Sequence, residues 1–105
     1  MKQPVDEHHE TEGGNPKGGW TKAVGIDIVW QNGPLGRGAE RKEPNGAFVE
    51  GVIQAALGRL EFYQTSKFKC RHNALAITKL EEALHWLQAR TEDREKRLVE
   101  GTHEA

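Results

Sequence analysis

Two helical patterns of very unequal length flank the connector "TSKFK" at residues 65–69, and this arrangement restricts the fold more than any other feature of the chain. The first pattern should begin near Asn45, a good N-cap, and run to about Gln64. At about 100° per residue, Val49, Ile53, Ala56, Leu57, Leu60 and Tyr63 share one stripe, with Gly51, Ala55 and Gly58 opposite it. The second pattern runs from about Phe68 to Val99, with Thr65 or Ser66 as its N-cap and Gly101 as its stop. Some thirty helical residues make a rod of about 45 Å. So short a connector implies an antiparallel hairpin whose longer helix overhangs the shorter one.

A second copy of the chain is the natural cover for such an overhang. Strong hydrophobes make up only 35% of the 105 residues and charged residues 30%, so the private core is small and oligomerisation is the usual remedy. Upstream, "KAVGIDIVW" alternates Ile26, Ile28 and Trp30 against Asp27 and Val29, a two-residue period that predicts a strand with one buried face. "QNGPLGRG" breaks it, and "AERKEPNG" carries only a weak strand signal. Residues 1–19 are polar, glycine-rich and without periodicity, which reads as a mobile tail. The expected organisation is a flexible tail over 1–19 and a single α+β domain over 20–105. Within that domain, a small antiparallel sheet from a strand region at about 21–44 packs with a helical hairpin at about 46–100.

Several function classes are disfavoured. A formal net charge of −1, with basic residues alternating with acids, gives no DNA- or RNA-binding stripe and no pull towards an anionic membrane. Cys70 is the sole cysteine, so an internal disulfide framework is excluded and a reducing cytoplasm is the expected location. No apolar run approaches the ~20 residues of a membrane span. His8, His9, His72, His85 and His103 show no metal-ligand spacing, and no residue pattern calls for a cofactor.

The chemistry concentrates where the second helix's stripe changes character. Leu80, Leu84 and Leu87 lie on one face, and Arg90 and Arg94 continue along its edge. Like charges at i,i+4 repel by a few tenths of a kcal/mol. Asp93 can answer Arg90, while no acid stands three or four positions from Arg94. Guanidinium forks match phosphate oxygens, each charge-assisted bond contributing ~1.5–3 kcal/mol. Tyr63 and Trp86 offer rings for stacking a nucleobase, and Asn73 a group for a base edge or ribose hydroxyl. Spacing alone leaves two readings open. The arginines hold a phosphorylated nucleoside, or they bond a partner subunit's carboxylates in a structural hairpin without a small ligand. An enzyme is disfavoured, because no carboxylate dyad, nucleophile–base pair or metal set accompanies them.

"GIDIVWQNGPLG" and "LEFYQTSKFKCRHNALAITKLEEALHWLQARTEDREKRLVEGT" resemble the strand-and-turn and the helical hairpin of the phage Thoeris anti-defense family, type one. Similar hairpins occur in anti-CBASS sponges. The resemblance implies a non-enzymatic sponge that sequesters cyclic ADP-ribose isomers, with a second site for CBASS cyclic di- or trinucleotides. It also implies assembly as dimers or as a hexamer, a trimer of dimers, in the cytoplasm of the host bacterium. By the same resemblance, the first pocket lies between subunits. Arg90 and Arg94 match its phosphate-binding arginines, Asn73 its asparagine, Tyr63 its adenine-stacking aromatic and Thr102 a further contact. Arg71 matches an arginine of the second site, with Arg37 as its partner. The chain departs from the family pattern at His72, where an acid is common, and at Leu98, where a glycine is common.

Overall fold

The computed structural model of the chain describes residues 5–36 and 38–104, with side chains described as far as Arg97. It divides into two compact units, one ending at Val49 and the other beginning at Glu50.

The first unit is a three-stranded antiparallel meander in the order β1–β2–β3, with β1 at Asp6–Glu12, β2 at Asn15–Ala23 and β3 at Ile26–Trp30. The strand predicted at Ile26–Trp30 is present. The expected tail is not: most of the segment before residue 20 forms β1 and the first half of β2. Every residue of β1 is exposed, so burial leaves no alternating pattern for periodicity to find. Turn chemistry organises this part instead. Gly13 and Gly14 have φ of 60° and 81°, the positive values that a two-residue I′ hairpin turn requires. At Gly19 the strands approach so closely that a β-carbon would run into the His8 carbonyl. The pairing of His9 with Gly19 and of Thr11 with Pro16 leaves one extra residue on β2, a bulge.

Across β2 and β3, Thr21 stands opposite Ile28 and Gly19 opposite Trp30, and the indole Nε1 of Trp30 donates to Thr21 Oγ1 at 2.8 Å. The chain then makes a loop whose two ends are tied together. The Gln31 N–H donates to the Ala47 carbonyl at 2.9 Å, and the Ala47 N–H to the Val29 carbonyl at 2.7 Å. Asn45 Oδ1 accepts from the Asn32 N–H at 2.8 Å while its Nδ2 donates to the Asn32 carbonyl at 3.0 Å. Asn45 is therefore the clasp of a loop, not a helix cap. Where "AERKEPNG" begins, the regular structure is a single turn at Gly38–Glu40, in place of a further strand.

The second unit is the hairpin. Helix α1 spans Val49–Gln64 and α2 Arg71–Glu104, 16 and 34 residues, or about 24 and 51 Å. Leu57 is the one buried hydrophobic side chain among the described residues. Half-buried Ile53, Leu60 and Tyr63 extend its stripe on α1, and half-buried Ile77, Leu80, Leu84 and Leu87 form the corresponding stripe on α2. Gly51 and Gly58 look onto open space.

The connector works differently from the sequence expectation. Thr65 Oγ1 and Ser66 Oγ donate to the carbonyls of Phe62 and Tyr63, at 2.7 and 2.6 Å, and so close α1 instead of starting α2. The α2 cap is Cys70, whose Sγ accepts from the Asn73 N–H at 3.4 Å. The Gln64 amide clamps Cys70 from both sides, donating to its carbonyl at 3.0 Å and accepting from its N–H at 3.1 Å. Helix α2 also continues through Gly101, where the sequence predicted a stop.

Candidate nucleotide-binding residues on the hairpin

Residue positions along two antiparallel rods decide which candidates can meet. Arg90 Nη2 lies 3.7 Å from Glu50 Oε1, which puts this point of α2 beside the first turn of α1. From there, residues 91–104 run on past the start of α1 by about 21 Å, the expected overhang. Arg94 stands on that overhang, one turn beyond Arg90. Tyr63 lies at the other end of α1, about 20 Å from Glu50 along the helix. Asn73 lies in the first turn of α2, about 25 Å before Arg90. Such a span exceeds what side chains bridge. Within one hairpin the arginines form one cluster, and Tyr63 with Asn73 belongs to the opposite end.

Glu50 has a reason of its own to be where it is, because a carboxylate in a helix's first turn complements the N-terminal dipole. Its contact with Arg90 joins side chains that are 39% and 47% exposed, so it is worth about 0–1 kcal/mol. Spacing offers Asp93 both to Arg90 at i,i+3 and to Arg97 at i,i+4, and it is Arg97 that it pairs with, at 3.1 Å. Gln88, one turn before Glu92, donates through its Nε2 to Glu92 Oε1 at 3.2 Å. Among the described residues, no carboxylate pairs with Arg94, and the cations lying over rings are Lys22, Arg59 and Lys67, not Arg90. Trp86 is 71% exposed. The cluster is therefore two guanidiniums with one weak protein contact between them, at the end of the apolar stripe.

At the other end, Tyr63 is half-buried and the Arg59 guanidinium carbon lies 5.1 Å from the centre of its ring. Asn73 Nδ2 makes only a long 3.5 Å contact to the Phe68 carbonyl, which leaves its amide oxygen open. Arg71 is the first residue of α2 and is exposed. Arg37 and the side chain of Thr102 lie outside the described residues. Sequence reading passed over Arg59 and Glu50. The signal for Arg59 was its i,i+4 spacing from Tyr63; Glu50 could be found only once the hairpin was closed.

Two open hollows lie on the sheet unit. One, of about 370 Å³, is lined by Trp20, Val29, Trp30, Asn32 and Asn45 among others, and one of about 400 Å³ by Glu12, Asn15, Pro16, Lys17 and Asn32. Among the described residues, no cluster of acids, histidines or cysteine has metal-binding geometry, and no helix is long and apolar enough to cross a membrane.

Known proteins bear directly on this arrangement. Residues 22–92 match the family model described as the Acb2/Tad1 hairpin domain, an interval that takes in β3, α1 and α2 as far as Glu92, with Arg90 inside it and Arg94 just beyond it. Over 96 residues the chain is 47% identical to Thoeris anti-defense 1 of Bacillus phage SBSphiJ7, an alignment covering 91% of this chain and 67% of that protein. With a sheet followed by a long helical hairpin and a match that spans most of its length, the chain belongs to the Acb2/Tad1 hairpin family.

Proposed function

We propose that the chain is a non-enzymatic anti-defense sponge that binds cyclic ADP-ribose-type signals and withholds them from bacterial Thoeris immunity. The observation that carries this reading is the Arg90–Arg94 pair, left with one weak, half-exposed carboxylate contact. An exposed pair worth at most about 1 kcal/mol yields to a diphosphate that makes charge-assisted bonds of ~1.5–3 kcal/mol each. The anti-defense name of the phage relative supports the same reading.

In this account the site is shared between two copies. Since Tyr63 and Asn73 stand about 20 Å or more from Arg90 and Arg94 along one hairpin, a ligand touching all four draws its aromatic end from one chain and its phosphate end from another. Tyr63 stacks the base, Asn73 fixes a polar edge, and Arg90 and Arg94 grip the diphosphate, with Thr102 as a further contact. Arg71, with Arg37, serves a separate site for cyclic di- or trinucleotides, and dimers or a trimer of dimers supply both. Holding a messenger at submicromolar concentration takes about 8–12 kcal/mol, which rigid donors and a buried base can supply without turnover.

Calorimetry on a panel of cyclic ADP-ribose isomers tests this. Arg90→Ala and Arg94→Ala should each weaken binding by about 100-fold with helicity unchanged, and ligand released by heat should be recovered chemically intact. Unchanged affinity removes the arginines from the site. The Arg90–Glu50 contact favours a second reading, a structural hairpin without a ligand. There the same substitutions would change the mass in light scattering instead of a dissociation constant.

A further inference from the structure

Arg59 has no role in any reading so far, yet it has the most distinctive surroundings of any cation on the hairpin. Its guanidinium carbon lies 5.0 Å from the centre of the Phe62 ring and 5.1 Å from that of Tyr63, so it straddles two rings whose centres are 6.2 Å apart and inclined at 52°. Among the described residues, no carboxylate neutralises it. Phe62 is 55% exposed and Tyr63 half-buried, so the three side chains form a patch that is partly open to solvent.

We propose that Arg59 is the positioning residue of the base-stacking end of the nucleotide site, acting through Tyr63. This rests on the sequestering reading and deepens it. A phenol ring has two faces, and the guanidinium occupies one of them by cation–π attraction. The ring is then held in one orientation with its other face offered to the base, which lowers the ordering cost of binding. The uncompensated charge beside the ring also attracts a ligand carrying two phosphate charges. A merely structural role, one helical i,i+3/i+4 contact on an exposed surface, predicts a change in melting temperature and nothing in affinity.

The experiment is a double-mutant cycle in the full chain, probed with a cyclic ADP-ribose isomer that the wild-type protein binds. Arg59→Ala should weaken binding about 5- to 30-fold. Arg59→Lys, which keeps the charge, should recover part of that loss. In a Tyr63→Leu background Arg59→Ala should have little further effect, because the ring through which it acts is gone. Thermal melts of each variant separate affinity from stability. An equal loss with and without Tyr63 overturns the positioning role in favour of a direct phosphate contact, and a lowered melting temperature with unchanged affinity overturns it in favour of a structural one. A wild-type protein that binds no member of the isomer panel sinks the sequestering reading itself; one that binds while Arg59→Ala binds equally well sinks only this inference.

Discussion

The two units owe their internal order to different forces. In the hairpin, the apolar stripes of α1 and α2 form a seam around Leu57, and polar contacts trim its ends. In the sheet unit no side chain among the described residues is fully buried, and order comes from strand pairing, glycine turns and the Asn45 clasp. Hydrophobic burial is non-directional and tolerates local substitution so long as volume is kept. A meander organised by backbone geometry depends on a few positions that admit only one residue type. One region is specified by pattern, the other by punctuation.

Substitution in each region can break that contrast. The largest stability effect is expected for Leu57→Ala, about 2–5 kcal/mol, read from loss of helical ellipticity in urea. If Leu57→Ala were silent, the seam would not be what holds the hairpin. Gly19→Ala should cost about 1–3 kcal/mol, from a φ of 155° and collision with the His8 carbonyl. Its signature should be faster amide exchange in β1 and β2 while the hairpin amides keep their protection. Spread of that loss into α2 would show that the two units unfold together. The smallest effect belongs to the α2 cap: Cys70→Ser substitutes a better hydrogen-bond acceptor and should raise hairpin stability by a few tenths of a kcal/mol, whereas Cys70→Ala should lower it by about 0.5–1 kcal/mol, both measurable in a chemical melt.

The same contrast separates what could be read from residues and what could not. Helical periodicity located both rods and the stripe that Ile53, Leu57 and Leu60 form, because burial repeats with the turn of a helix. It placed the end of α1 at Gln64 but misplaced the start of α1 and both ends of α2. Asn45, Thr65 and Ser66 are all competent caps, and only the closed chain shows that their oxygens and amide go to the loop and to the end of α1. The first nineteen residues looked like a tail, since "DEHHETE" has no apolar face. The Gly13–Gly14 pair was the available strand signal, and it was outweighed by the polarity around it.

By itself, the order of residues determined an α+β chain with an overhanging hairpin, a family membership, and a guanidinium pair at the end of a greasy stripe. Those features are local in sequence, and helix geometry converts local spacing into a shared face. Tertiary structure alone decided that Glu50 reaches Arg90 and that Tyr63 and Asn73 sit at the far end from both arginines. These depend on how far apart two rods place their residues after the chain reverses, a distance that no single helix's periodicity contains.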